Sequence, residues 1–183
     1  MIRHTAPDVA PGVCYGRLDV ALLPSCGNEF DDIVAKLPEV EGVWTSPLER
    51  CRSLAERIVG PNREISIDPR WSELDFGRWE GRSWNEIDRK ESDPWADDYW
   101  NVAPPQGETY RQLYERVAEA LGDLTEQPVQ RVAVVSHAGP LRAALAQCLG
   151  LQSDRYHEFA LDYGGVTLLD WSEDGWRLKY LNR

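Results

Sequence analysis

The sequence predicts an α/β protein, a three-layer α/β/α sandwich built on a mostly parallel sheet. Two observations carry that prediction. Apolar segments that run into a turn and then a helical pattern recur at Met1–His4, Gly42–Ser46 and Arg131–Ser136, and strands alternating with helices mark a parallel sheet covered on both faces. Within the last segment Val132, Ala133, Val134 and Val135 are apolar without alternation, as suits a strand buried on both sides. A chain of 183 residues fits one domain. At that length folding buries roughly 70% of the surface of the unfolded chain, so no disulfide or metal staple is required.

The first segment leaves room for only a very short strand at Met1–His4, unless the natural start lies upstream. A Pro/Gly-containing loop and a weak helix near Asn28–Leu37 follow. The second strand closes on Thr45-Ser46-Pro47, and the helix after it is expected to start with Ser46 as N-cap, Pro47 at the first helical position and Glu49 three residues beyond the cap. Glu64–Asp68 reads as a further strand. Residues 71–107 hold Trp71, Trp79, Trp84, Trp95 and Trp100 and close on Pro104-Pro105 and Gly107; they read as an inserted cover of loop and short helices over one end of the sheet. The next helix is the best marked: Tyr110, Leu113, Tyr114, Val117, Leu121 and Leu124 recur at three- and four-residue steps behind a Thr109/Gln112 capping box. After Arg131–Ser136, His137-Ala138-Gly139 turn into a helix opening at Pro140 and ending before Gly150. The tail reads as two strands, Val166–Trp171 and Trp176–Leu181, joined through Glu173-Asp174-Gly175. The chain contains no internal repeat, low-complexity tract or interdomain linker.

A formal charge of −11 offers no basic footprint for nucleic acid or an anionic membrane surface. No apolar run approaches a membrane span, and no signal peptide precedes the first motif. Cys14, Cys26, Cys51 and Cys148 are widely spaced without a CxxC pair, which reads as free thiols in a reducing cytoplasm. Nothing in the sequence fixes an oligomeric state.

In an open α/β sheet, ligands bind outside the carboxyl ends of the strands. Those ends carry Arg3-His4-Thr5, Ser46 with Arg50 one turn into its helix, and Ser136-His137. Two of the three histidines in the chain sit there, beside two arginines, small hydroxyls and helix N-termini that favour anions. Taken singly, each has an ordinary explanation: a structural histidine, a solvated helix arginine, a capping serine. Together they suit a phosphate group, with planar guanidinium forks and backbone N–H groups near Ala138 as donors. A neutral His4 imidazole can then attack phosphorus, its pKa lowered by the flanking cations. A metal is disfavoured, because those arginines repel a cation and no carboxylate stands at the strand ends. Ester cleavage also needs an acid for the leaving alcohol; Glu73 is the first candidate and Asp75 the alternative, with large apolar neighbours able to raise the pKa of such an acid. His157 reads as structural or as a peripheral substrate contact. The tryptophans read as packing, with one or two at the mouth of the site.

The run of Arg3-His4-Thr5, Gly16, Asp19, Ser46-Pro47-Leu48-Glu49-Arg50, Glu73 to Gly81 and Ser136-His137-Ala138-Gly139 resembles the histidine phosphatase superfamily, in the branch that includes cofactor-dependent phosphoglycerate mutases. The resemblance implies a phosphoglycerate mutase-like fold, with His4 as phosphorylated nucleophile and Arg3, Arg50 and His137 around the phosphate. Its Glu-x-x-x-Gly pattern falls on Glu73 and Gly77, which assigns the acid–base role to Glu73. It adds Thr5, Tyr15, Gly16 and Ala138 as phosphate or substrate contacts, a small phosphorylated molecule as partner, and no metal or organic cofactor. Two departures stand out: Thr5 replaces the usual glycine, and the asparagine common a few residues later has no counterpart among Ala6 to Gly12. Arg-His-Thr with Cys14-Tyr15-Gly16-Arg17-Leu18-Asp19 is similar to the α-ribazole phosphatases, which makes α-ribazole 5′-phosphate the expected substrate. The alternatives are a broad sugar or nucleotide phosphatase, a phosphoprotein phosphatase, a phosphoglycerate-type mutase and a silent phospho-ligand binder.

Overall fold

The computed structural model of the protein describes residues 1–61, 63–151 and 159–183. His157 therefore lies outside the described residues. Four strands form one sheet in the order β1 (Ile2–Arg3), β4 (Val132–Ser136), β2 (Gly42–Thr45), β3 (Ser66–Ile67), and every neighbouring pair is parallel. Helices α1 (Cys26–Lys36) and α2 (Glu49–Val59) cover one face, while α4 (Tyr110–Thr125) and α5 (Ala138–Cys148) cover the other. β4 feeds both layers. Ala133 and Val135 join Val43, Leu54 and Phe30 on the α1/α2 side, and Val134 joins Leu113, Val117 and Leu141 on the α4/α5 side. The three-layer sandwich and the unbroken apolar run of β4 have one cause, burial of a central strand from both sides.

The hairpin β5 (Leu168–Ser172) and β6 (Gly175–Tyr180) is antiparallel, and Val166 bridges to Ile2 so that the hairpin continues from the β1 edge. Its turn is tighter than the sequence suggests: Gly175 already pairs with Ser172, leaving Glu173 and Asp174 as a two-residue loop. The strand expected over Glu64–Asp68 shortens to Ser66–Ile67, and α1 begins at Cys26 rather than Asn28. The Thr109/Gln112 capping box on α4 is present, with Thr109 N–H on Gln112 Oε1 at 2.8 Å and Gln112 N–H on Thr109 Oγ1 at 3.2 Å.

Two helix starts differ from expectation. α5 begins at Ala138, and Pro140 sits in its first turn, where a missing N–H costs no helical bond. α2 begins at Glu49, with Leu48 rather than Ser46 at the N-cap. The anion at that helix start comes from far upstream: the Asp19 carboxylate accepts from Glu49 N–H at 3.0 Å. The Ser46 hydroxyl still accepts the Leu48 N–H at 3.3 Å just ahead of the helix, and it also meets His137 Nε2 at 2.8 Å.

Between β3 and α4 the chain forms 3-10 turns at Pro69–Trp71, Gly77–Trp79 and Trp84–Glu86, then α3 (Arg89–Asp97). Trp71 is fully buried in the α4/α5 core, and Trp79 fully buried against Cys14 and Ile87. The four cysteines are free thiols; burial pushes Cys14 and Cys148 up to about 12. No helix among the described residues is long and apolar enough to cross a membrane.

Candidate active site

Strand register builds the site. Arg3 lies opposite Ser136 and Thr45 opposite Val135, so β1, β2 and β4 end at nearly the same level. The next residues are His4, Ser46 and His137. Their backbones extend the ladder, with His4 N–H on Ser136 carbonyl at 3.0 Å and Ser46 N–H on Val135 carbonyl at 3.1 Å. The two histidine rings meet edge-on, centroids 5.0 Å apart. A cavity of about 490 Å³ opens over this row, lined on one part by Arg3, His4, Tyr15, Arg50, Glu73 and Ala138. Phe76, Trp84 and Trp95 form another part of its wall, with the two indoles stacked at 22°. A larger hollow of about 600 Å³ near Glu56, Pro61 and Ile65 lies at the other end of α2 and contains no histidine.

His4 is almost wholly buried, and its Nδ1 lies 2.7 Å from the Thr5 carbonyl oxygen. A carbonyl can only accept, so Nδ1 carries the proton and the lone pair is left on Nε2. Burial, then the Arg50 and Arg3 charges, hold the ring down to about 3 against the opposing Thr5 bond. His137 is also buried and is held well below the usual imidazole range by burial first, then by neighbouring His4 and the Arg50, Arg116 and Arg3 charges. Neutral at physiological pH, His4 has the protonation state a nucleophile needs.

The surrounding donors are only partly used. Arg50, fully buried, gives Nη1 to the Leu18 carbonyl at 2.9 Å and Nη2 to the Gly16 carbonyl at 2.5 Å; Arg3 gives Nη1 to the Leu161 carbonyl at 2.6 Å. Arg3 Nε, Arg50 Nε and Thr5 Oγ1 are buried with no hydrogen-bond partner among the described residues. Each unmet buried donor costs about 1–3 kcal/mol, and an oxyanion with several acceptor oxygens would remove that cost. The departure at Thr5 therefore places an orphan hydroxyl next to the nucleophile.

Glu73 lines the cavity with its carboxylate laid close against the Gly139 backbone. Its carboxylate accepts from Leu74 N–H at 2.9 Å and from Gly139 N–H at 3.2 Å. A Cβ on Gly139 would stand 2.2 Å from Glu73 Oε1, so only glycine permits the contact. Arg116 holds the segment from behind, donating to the Glu73 carbonyl at 3.1 Å and pairing with Glu108. Ser136 Oγ ties the start of the same segment to β4 by donating to the Trp71 carbonyl at 2.6 Å. Asp75 is turned away: its carboxylate accepts from Gly77 N–H at 2.8 Å and faces Arg17 at 3.5 Å.

The model of the histidine phosphatase superfamily (branch 1) matches residues 1–183. The chain belongs to the histidine phosphatase superfamily. It is 30% identical over 146 residues to an adenosylcobalamin/alpha-ribazole phosphatase of Salmonella typhimurium, covering 76% of this chain and 72% of the relative. It is 28% identical over 181 residues to phosphoserine phosphatase 1 of Hydrogenobacter thermophilus, covering 94% of this chain and 86% of that one. The crystal structure of the alpha-ribazole phosphatase from Shigella flexneri superposes with a TM-score of 0.93 at 25% identity, covering 100% of this chain and 94% of that one. The fold is thus that of the phosphoglycerate mutase-like histidine phosphatases, and the protein is a phosphoric monoester hydrolase.

In this histidine phosphatase, Arg3, His4, Tyr15, Arg50, Glu73 and Ala138 share one cavity wall, while Thr5, Gly16 and His137 are buried and not part of its lining. Gly16 N–H is already taken by Glu80 Oε2 at 2.8 Å. That carboxylate also accepts from the N–H groups of Arg17, Leu18 and Phe76, so Glu80 binds the Tyr15–Leu18 loop to the wall. Its place in the Glu80-Gly81 pair gave no hint of this. Tyr163, whose ring lies against Arg3, and Arg142, which lines the cavity, were likewise unmarked in the sequence. Arg142 gives Nε to the Phe159 carbonyl at 2.8 Å, and among the described residues no carboxylate pairs with it.

Gly139→Ala is expected to lower kcat about 100-fold by displacing the Glu73 carboxylate, with little change in the urea midpoint; steady-state kinetics and urea unfolding check it. The buried histidines also set a pH dependence. The folded pKa of His4 lies below its unfolded value of about 6.5, so falling pH protonates the unfolded chain first. Stability is therefore complete above about pH 6.5 and is lost as pH falls towards 3, at about 1.4 kcal/mol per pH unit for His4. His137 adds in the same direction. Unfolding free energies from urea curves between pH 6.5 and 5 should fall at least this steeply, and His4→Gln should remove the His4 share of the slope; an unfolding free energy independent of pH contradicts the assignment.

Proposed function

We propose that this site hydrolyses a small phosphomonoester through a phosphohistidine on His4, and that the substrate is α-ribazole 5′-phosphate. One observation carries the reading: a buried His4 whose proton sits on Nδ1 shares its surroundings with Arg3, Arg50 and Thr5, each holding a buried donor that has no partner among the described residues. In the first step Nε2 bonds to phosphorus, the bond from phosphorus to the alcohol oxygen breaks, and Glu73 gives that oxygen its proton. In the second step Glu73 takes a proton from water, the water oxygen bonds to phosphorus, and phosphate leaves as the P–N bond breaks. Arg3 and Arg50 neutralise charge on the transferring group in both steps. His137, held by Ser46, supports the phosphate side from behind His4.

The Phe76, Trp84 and Trp95 wall supports a leaving group with a planar apolar part, as does the likeness to relatives named alpha-ribazole phosphatase. A second reading, a small phospho-acid such as phosphoserine, draws on Arg142, a guanidinium on the cavity wall that no carboxylate among the described residues pairs with. We read residues 1–183 as one catalytic domain with 71–107 as its cover. The −11 charge and four free thiols support a small-molecule substrate, not nucleic acid, and work in the cytoplasm.

Specificity constants across α-ribazole 5′-phosphate, phosphoserine, 3-phosphoglycerate and sugar phosphates decide between these. The first should give the highest kcat/KM, and His4→Ala should lower kcat by at least about 1000-fold. A preference for phosphoserine would replace the first substrate by the second. Full activity in His4→Ala would end both readings.

A further inference from the structure

Tyr163 stands on the turn before β5, and three contacts tie it to the catalytic groups. Its ring faces Arg3, whose Cζ lies 3.6 Å from the ring centroid, close enough for the negative ring face to attract the guanidinium. The same ring lies 5.5 Å from that of His4. Its hydroxyl shares a hydrogen bond with the Tyr15 hydroxyl at 2.5 Å, and Tyr15 lines the cavity with Arg50 Cζ 5.6 Å from its own ring centroid. The backbone of the turn is committed to the same place. Gly164 N–H lies 3.1 Å from the Arg3 carbonyl and 3.2 Å from that of His4, and the Leu161 carbonyl receives Arg3 Nη1. Gly164 has φ +68°, and a Cβ there would stand 3.2 Å from Ile33 Cδ1, so delivery of Tyr163 onto Arg3 depends on glycine.

Packing does not account for this ring, because Tyr163 is 42% exposed. Hydrogen-bond counting suggests what the pair does. Two phenols joined by one hydrogen bond hold two O–H protons and spend one. Tyr15 is on the cavity wall and Tyr163 is not. With Tyr163 donating to Tyr15, the Tyr15 proton is free to donate into the cavity, where an oxyanion is the natural acceptor. Burial holds the Tyr15 phenol above its ordinary range, against the pull of Arg3 and Arg50, so the proton stays in place at neutral pH.

The geometry points to Tyr163 as a positioning residue: its ring fixes the Arg3 guanidinium, and its hydroxyl turns the Tyr15 proton towards the phosphoryl oxygens. This rests on the phosphatase reading of the His4 site. Tyr163 touches no reacting atom and acts through Arg3 and Tyr15, so its effect falls on oxyanion binding.

The test measures the dissociation constant of orthophosphate by calorimetry, with kcat and KM for p-nitrophenyl phosphate. Tyr163→Phe keeps the ring over Arg3 and loses the hydroxyl, and should bind phosphate about 5-fold more weakly. Tyr163→Leu loses both and should bind about 30-fold more weakly, with KM raised more than kcat is lowered. In a Tyr15→Phe background, Tyr163→Phe should cost nothing further, which a merely structural role would not produce. Phosphate affinity unchanged in Tyr163→Leu overturns the proposal and leaves the phosphatase reading standing, as does an equal cost of Tyr163→Phe in both backgrounds. Wild-type protein that binds orthophosphate but cleaves no ester overturns the phosphatase reading, while the affinities still decide Tyr163. Wild-type protein that binds no orthophosphate overturns both.

Discussion

The pairing of β4 between β1 and β2 fixes where everything else can stand. Parallel register leaves Arg3 opposite Ser136 and Thr45 opposite Val135, and the residues that follow emerge side by side at one edge. Had β4 slipped by one residue, Ala133 and Val135 would exchange faces with Val134, and both hydrophobic layers would lose their inward residues. The same slip would move His137 away from Ser46 and His4. Core burial and site geometry are thus held by one constraint.

The stability of the core offsets an unfavourable site. Two neutral histidines, a fully buried Arg50 and a half-buried Arg3 are gathered without a carboxylate salt bridge to either arginine among the described residues. Carbonyl oxygens of Leu18, Gly16 and Leu161 take some of their N–H groups and leave others unmet. A carboxylate partner would neutralise the guanidinium charge and return His4 towards its ordinary pKa. Carbonyls hold the arginines in place and keep the charge available to an anion.

Much of this was legible in the sequence because it depends on local pattern. The apolar run of Val132–Val135, the periodicity of α4 and the strand-end positions of Arg3, His4, Arg50 and His137 need no knowledge of distant contacts. What was not legible depends on residues far apart in the chain. Ser46 has the profile of an N-cap and keeps the Leu48 N–H, but its second partner, His137, arrives some ninety positions later. Asp19 supplies the helix-start carboxylate from outside the helix. Tyr163 reaches Arg3 through a glycine turn that carries no motif. Gly16, read as a contact to substrate, has its N–H taken by Glu80 and its carbonyl by Arg50.

The central claim is that Nε2 of His4 becomes covalently phosphorylated during turnover. Rapid alkaline quench of the enzyme with a phosphomonoester, followed by phosphorus NMR and peptide mass spectrometry, tests it directly. The expected result is one phosphoryl group on the peptide containing His4, stable in alkali, lost in acid and absent from His4→Ala. Phosphate found on a serine or carboxylate, or steady turnover with no phosphoenzyme under conditions that trap one, would contradict it.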